Sequence, residues 1–482
     1  MKELSVDVAV IGGGTAGLGA YRAAKRSTPS VVMIEGGPFG TTCARVGCMP
    51  SKLLIAAAEA VHQIERAPGF GIHPQGETLI NGREVMDRVK RERDRFVGFV
   101  LEGVDEIPAQ DKILGYARFI DNNTLQIDDH TRIQAKRIVI ATGSRPSWPA
   151  VWNNLGERLL INDDVFSWDD LPKSIAVFGP GVIGLEIGQA LHRLGVKVTM
   201  FGVGGGVGPL TDSVVKEYAN KTLNEEFYLD PDAKVEIMQP EGNHVFIRYL
   251  DKQGNPQDIL VDYVLAATGR RPNVDNLSLE NTSLELDARG VPVADRLTMQ
   301  TSVSSIFIAG DASNQLPLLH EASDQARIAG ENAGTFPEIN PGLRRSSLSV
   351  VFSDPQIAMV GSTYRALNQR FSACGCFEVG EVSFENQGRS RVMLRNKGIL
   401  RVYAEQGTGL FLGAEMMGPD VEHIAHLLAW AHQQKMTIDQ MLDMPFYHPV
   451  IEEGLRTALR DVQSKLKLGH EEAERCQRCP GE

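Results

Sequence analysis

Short apolar runs with almost no polar face recur along the chain: Val6-Asp7-Val8-Ala9-Val10-Ile11, Val31-Val32-Met33-Ile34, Ile138-Val139-Ile140, Ser174-Ile175-Ala176-Val177-Phe178 and Val196–Phe201. Such runs predict strands of a parallel sheet buried on both faces. Two of them open into glycine clusters and then into small-residue helices, Leu18–Lys25 and a helix running through Leu191. Residues 82–107, rich in Arg, Glu and Val, predict an amphipathic helix with a solvated charged face. Val261–Gly269 and Ser305–Asp311 repeat the buried-strand pattern, and Pro146, Trp148 and Pro149 mark a crossing between domains. From about Ser346 the texture changes to alternating strands, such as Ser347–Phe352 and Gly398–Tyr403, with helices at 421–435 and 450–463. That stretch predicts a separate α+β domain.

A chain of 482 residues exceeds a single hydrophobic core, so about two to four domains are expected. Apolar content of 42% and charged content of 23% are those of a globular protein. The net charge of −12 argues against a nucleic-acid or anionic-membrane partner. No apolar run approaches the roughly 18 residues that span a bilayer. Met1–Ser5 leads straight into the first strand and leaves no room for a signal peptide. Six cysteines in so long a chain are too few for a disulfide scaffold, and a cytoplasmic protein using them for redox chemistry fits better.

The first glycine cluster, Gly12-Gly13-Gly14-Thr15-Ala16-Gly17, lies between a strand and a helix, and the second strand ends in Glu35. This is a dinucleotide fingerprint: Gly12, Gly14 and Gly17 let a pyrophosphate approach the helix N-terminus, and the carboxylate takes the ribose hydroxyls. The pattern repeats at Gly179-Pro180-Gly181-Val182-Ile183-Gly184, which implies two dinucleotides held by two similar domains. The repeat has a defect. The offset that gives Glu35 in the first copy lands on Gly202 in the second, within Gly202-Val203-Gly204-Gly205-Gly206-Val207-Gly208, and no arginine follows nearby. The choice between NAD and NADP stays open on this reading.

Cys43 and Cys48 sit in Gly40-Thr41-Thr42-Cys43-Ala44-Arg45-Val46-Gly47-Cys48-Met49-Pro50-Ser51-Lys52. On a regular helix residues five apart have Cα atoms roughly 8–9 Å from one another, beyond the ~7 Å limit for a disulfide. A bond between them needs a distorted first turn, which Gly47 permits, and a short strained loop favours a reducible bond. The alternative is two unpaired buried thiols.

These landmarks, with Ala141–Gly143, Gly179–Glu186, Ala267–Asn273, Gly310-Asp311 and His448-Pro449, resemble the class I pyridine nucleotide–disulfide oxidoreductases, and among them most of all the dihydrolipoyl dehydrogenases. The resemblance covers residues 5–465. It implies an α/β fold with two Rossmann-like domains, for FAD and NAD(P), and a C-terminal α+β domain that makes a homodimer. The boundaries expected are 1–148 for the first part of the FAD domain, 149–272 for the NAD(P) domain, 273–343 for the return to the FAD domain, 344–468 for the dimerisation domain and 469–482 for a tail. Cys43 would be the thiol that exchanges with substrate, and Cys48 would lie against the flavin. Lys52 would sit near the flavin N5 and pair with Glu186. His448, held by Glu453, would be the general acid/base from the partner chain. The cofactor-binding positions implied are Gly12, Gly14, Gly17, Glu35, Thr42, Lys52, Ala117, Thr142, Gly143, Ser144, Gly179, Gly181, Ile183, Gly184, Glu186, Val235, Gly269 and Asp311, with no metal site.

The roles make independent sense. A dithiol attacks as thiolate, so an imidazole with a pKa near neutrality is suited to stand beside the exchanging sulfur. A carboxylate on its other nitrogen fixes the tautomer and stabilises the cation. An ammonium at Lys52 would stabilise negative charge on the reduced flavin. The sequence departs from the family pattern at Arg45, where asparagine is usual, and at Phe446-Tyr447, where a second histidine often precedes the His-Pro pair. Arg45 would act on the thiols, recruit an anionic substrate, or point to solvent. Cys476-Gln477-Arg478-Cys479 would be a second dithiol shuttle or a plain tail, while Cys374 and Cys376 receive no role. The function implied is electron transfer from dihydrolipoyl groups, on a lipoyl-bearing protein or a small dithiol, through Cys43 and Cys48 and FAD to NAD+. The alternatives are an NAD(P)H-dependent reductase of another disulfide or a metal ion (glutathione-, mercuric- or copper-reductase-like), and a non-catalytic scaffold in a multienzyme complex.

Overall fold

The computed structural model describes residues 1–76, 78–371 and 375–467, so Cys374, Cys476 and Cys479 lie outside the described residues. The chain forms two compact units, each assembled from separate stretches. The first comprises residues 1–53, 87–147 and 269–345, and the second residues 54–86, 148–268 and the chain from Ser346 onward.

The first unit is built on β1 (Lys2–Ile11), which pairs in parallel with β2 (Val31–Glu35) on one side. On the other side it pairs with the long strand Thr131–Ile140. Alternate residues of β1 serve different cores. Val8 and Val10 pack with Ala20 and Tyr21 of α1 (Thr15–Lys25) and with Ala326 and Ala329 of the helix Leu319–Thr335. Ala9 and Ile11 pack with Phe119, Leu125 and Leu277 on the opposite face. Burial on both sides is why the strand reads as a continuous apolar run. The last strand of this sheet, Ile306–Ile308, comes from the far end of the unit's sequence and pairs in parallel with Ile138–Ile140.

The second unit holds a parallel sheet in the order 228–230, 197–201, 174–178, 263–266, 159–160. An antiparallel three-stranded sheet, 234–241, 244–250 and 256–261, is inserted before its last long strand. The C-terminal part is an antiparallel five-stranded sheet with its own core, in which Phe384, Val402, Phe411 and Met416 meet Ile424 and Leu428 of the helix Val421–Gln433 and Leu455 and Leu459 of the helix Glu453–Lys465. This is the α+β region expected after Ser346. Leu54–Met86, which carries no boundary signal in its composition, clusters with the second unit.

Candidate active site

The first glycine loop follows from steric demands at named positions. Gly12 has φ +113°, and a Cβ there would run into Ala141 O; a Cβ on Gly17 would run into Gly12 O. Around Gly14, by contrast, a Cβ would meet nothing within 4 Å. Gly14 caps α1 without any side-chain hydrogen bond, and the first turn holds no acid. An open cradle in front of a helix N-terminus is where a pyrophosphate can sit. Glu35 closes the loop: its carboxylate accepts from Gly13 N–H at 2.5 Å and from Gly37 N–H at 2.7 Å. At the other edge, Ser144 Oγ donates to Asp311 Oδ2 at 2.6 Å, and Arg270 donates to Ser144 O and Oγ at 2.7 and 2.8 Å. Asn273 holds the turn by donating to Gly143 O and Thr142 O.

Thr142 Oγ1 and Gln325 Nε2 are buried without a hydrogen-bond partner among the described residues. Buried polar atoms in folded proteins are normally paired. Two orphans in a unit that also offers the glycine cradle, the Glu35 carboxylate and Asp311 fit a polar, phosphate-bearing cofactor such as FAD. Gln325 was not foreseen, because no motif marks it; its Oε1 accepts from Gly310 N–H at 2.9 Å and Ser313 Oγ at 3.0 Å. The Ala117 side chain lies in the core, so any contact it makes with a nucleotide is through its backbone.

The two cysteines flank a broken helix. α2 (Thr42–Val46) ends at Gly47, whose φ −129° and ψ −113° interrupt the ladder, and α3 (Cys48–Arg66) restarts at the second cysteine. This is the distortion the spacing demands. A Cβ on Gly47 would lie 3.1 Å from Thr42 O and 3.3 Å from Cys43 Cα, so the close approach belongs to glycine. Thr41 before it holds a positive φ of 59°, a strained setting for a residue with a branched side chain, while its Oγ1 accepts from Ala44 N–H.

Cys43 is half-buried and Cys48 exposed in the single chain. The hydrogen bond with Cys48 and burial push the Cys43 thiol well above the ordinary thiol range, and Lys52 pulls it down in part. Lys52 Nζ reaches Ser51 Oγ at 3.4 Å, and Ser51 Oγ donates to Cys48 O. The cation acting on Cys43 is therefore Lys52, one turn along α3. The aliphatic stem of Arg45 packs instead over Gly40, where a Cβ would lie 3.0 Å from Arg45 Cδ. Cys376, to which the sequence assigns no role, is disulfide-bonded.

The second unit repeats the loop geometry. Gly179 has φ +104° and backs onto Ala267 O, Gly184 backs onto Gly179 O, and Gly181 again faces open space. Ile183 is half-exposed in the first turn of the helix Val182–Arg193, which also lacks a side-chain cap. Glu186 is buried on that helix and accepts from Phe352 N–H at 3.0 Å. Val235 stands at a register shift in strand 234–241 and packs on the apolar cluster around Phe201. Gly269, with φ +115°, opens the return to the first unit.

His448 and Glu453 form a pair at the start of the helix Glu453–Lys465. His448 Nδ1 lies 3.1 Å from both carboxylate oxygens while its side chain stays 80% exposed. The bond from His448 holds the Glu453 carboxyl below the usual carboxylate range. Leu427, Trp430, Met444 and Tyr447 are also exposed in this C-terminal part. Among the described residues there is no cluster of three or more metal-ligating side chains, and no helix is long and apolar enough to cross a membrane.

Two glycine-loop dinucleotide folds joined to a vicinal dithiol define a flavin- and nicotinamide-dependent disulfide oxidoreductase, which uses FAD and NAD(P). The chain belongs to the pyridine nucleotide-disulphide oxidoreductase family: that family's model matches residues 6–326, and its dimerisation domain matches residues 347–459. It is 29% identical over 470 residues to a dihydrolipoyl dehydrogenase of Bacillus subtilis, covering 94% of this chain and 97% of that one. It is 30% identical over 475 residues to dihydrolipoyl dehydrogenase 3 of Pseudomonas putida, covering 95% and 98%. Similar folds include LpdA of Mycobacterium tuberculosis, with a TM-score of 0.79 at 24% identity over 94% of this chain and 99% of that one. The HOCl-induced flavoprotein disulfide reductase RclA of Escherichia coli follows, with a TM-score of 0.78 at 23% identity over 96% and 100%.

Proposed function

We propose that this oxidoreductase is a dihydrolipoyl dehydrogenase, which oxidises a dihydrolipoyl dithiol to the cyclic disulfide and reduces NAD+ to NADH with release of one proton. The observation that carries the reading is the imidazole of His448, fixed by both oxygens of Glu453 yet presented to solvent on the dimerisation domain. An acid/base so held and so exposed suits a site completed by a second copy of the chain, and the exposed Leu427, Trp430 and Tyr447 suit the homodimer that would supply it.

In this reading a substrate thiol gives its proton to His448, and the resulting thiolate attacks Cys43 Sγ of the oxidised pair. The Cys43–Cys48 bond breaks and Cys48 leaves as thiolate. The second substrate thiol then displaces Cys43, whose high proton affinity makes it a good proton acceptor as it departs. Glu453 keeps the ring in one tautomer throughout. FAD, held by the Gly12–Gly17 loop, Glu35, Thr142 and Asp311, supplies when bound the two-electron link between the dithiol and the nicotinamide. Lys52 provides the positive charge beside that link. The second glycine loop holds the nicotinamide nucleotide, and the substrate is a lipoyl-bearing protein or a free dihydrolipoyl group in the cytoplasm.

A substrate panel tests this. Dihydrolipoamide with NAD+ is expected to turn over faster than any other couple. Faster reduction of glutathione disulfide or Hg(II) by NADPH, with dihydrolipoamide idle, would overturn it.

A further inference from the structure

The two glycine loops correspond residue by residue: Gly12 with Gly179, Gly14 with Gly181, Gly17 with Gly184. The same offset relates Gly13 to Pro180, Glu35 to Gly202 and Gly37 to Gly204. In the first copy the Glu35 carboxylate bridges two amides, Gly13 N–H and Gly37 N–H. In the second copy both halves of the first bond are gone together, since Pro180 has no N–H and Gly202 has no carboxylate. The space is filled by packing: a Cβ on Gly202 would lie 2.8 Å from Pro180 Cδ and Cγ and 2.6 Å from Pro231 O. No acid can be carried at 202 without moving these groups.

The second bond survives with a different acceptor. Gly204 N–H donates to Asp232 Oδ1 at 2.8 Å. Asp232 follows the strand Tyr228–Asp230, which pairs in register with Thr199–Phe201 at the same sheet edge. A carboxylate thus stands on the loop amide that Glu35 uses in the first copy, delivered from the neighbouring strand. It is exposed, and residues 202–211 contain no lysine, arginine or histidine. Lys234 and Lys252 line a shallow depression with Asp230 and Asp232, but Lys234 faces Glu236 at 3.8 Å and Lys252 donates to Asn224 Oδ1 at 2.7 Å.

We propose that Asp232 selects the nicotinamide nucleotide: its carboxylate accepts from the adenosine ribose hydroxyls and repels a 2′-phosphate, so this chain uses NAD(H) in preference to NADP(H). A ribose hydroxyl donates to a carboxylate, whereas a 2′-phosphate brings about two negative charges and no donor, so one group both attracts and excludes. The inference rests on the second unit being the pyridine-nucleotide site.

The test is calorimetric titration of the oxidised holoenzyme with NAD+ and with NADP+. Wild type is expected to bind NAD+ at least about tenfold more tightly, and Asp232→Asn to shrink that ratio by about tenfold. The asparagine keeps an oxygen for Gly204 N–H, so the loop stays in place while the charge is lost. Asp232→Glu, which keeps the charge, should retain most of the preference. A wild type that favours NADP+, or an unchanged ratio in Asp232→Asn, overturns the inference alone. Binding of neither nucleotide by wild type overturns the reading of the second unit as well.

Discussion

His448 Nδ1 is equidistant, at 3.1 Å, from the two carboxylate oxygens of Glu453. The ring is thereby held with its other nitrogen outward. Glu453→Ala should leave the imidazole present but unaligned and slow dihydrolipoamide oxidation roughly a hundred- to ten-thousand-fold, with His448→Gln at least as damaging. Steady-state kinetics on the dimer, with unchanged circular dichroism, checks this. The direction of pH dependence follows from the depressed Glu453 carboxyl. Its support is present above the ordinary carboxylate pKa of 4.5 and is lost only as pH falls through the lower folded-state value, so Glu453 adds no pH dependence near neutrality.

Gly47 breaks the ladder between the two cysteine-bearing helices, and a Cβ there would crowd Thr42 O and Cys43 Cα. Gly47→Val is expected to push Cys43 away from Cys48 and slow closure of the dithiol by about tenfold or more. Thiol counting during oxidation by a small disulfide reads this directly. Closure at the wild-type rate would show that the break at 47 does not govern the approach of the two sulfurs.

Glu35 receives two backbone N–H bonds. Glu35→Gln keeps the shape and loses the charge, and charge-assisted bonds are worth roughly 1.5–3 kcal/mol each. The expected outcome is flavin that dissociates about tenfold more readily, followed by flavin fluorescence on dilution.

Arg193 is buried between Glu226, at 2.7 Å, and Asp354, at 3.0 Å. Burial raises the Asp354 carboxyl, but Arg193 and Arg395 outweigh it and hold it below the usual 3.8. Asp354→Ala leaves Arg193 half-compensated and should cost about 3 kcal/mol in denaturant unfolding of the second unit. A depressed carboxyl stabilises above its unfolded pKa and loses that contribution as pH falls through its folded one. The difference between variant and wild type should therefore be full at pH 5 to 7 and close below about pH 3.8.

What could be read from sequence divides by how local its cause is. The glycine loops were legible because each glycine answers to a backbone atom a few residues or one strand away, and Gly47 because helix geometry forbids the alternative. The His448–Glu453 pair came from the resemblance to the family, which marks His448-Pro449 and a carboxylate five residues on. Asp232 was not: its partner Gly204 lies in the loop after a different strand, and only the folded sheet sets the two side by side. The orphaned Gln325 was hidden for a related reason, since a glutamine in a helix shows nothing of what its amide lacks. Gly202 showed the missing acid but not the proline ring that fills its place.

Ile306–Ile308 completes the sheet that Lys2–Ile11 begins, and residues 148–268 of the second unit lie between them in the sequence. During synthesis the N-terminal sheet must wait, unfinished, until that later strand has emerged from the ribosome. Domains otherwise tend to fold in the order they are made. Here the interior fold can set first, and a nascent chain released before about residue 310 would expose an unpaired strand edge in Ile138–Ile140, making premature termination in this gene a source of aggregates rather than of a working flavin fragment.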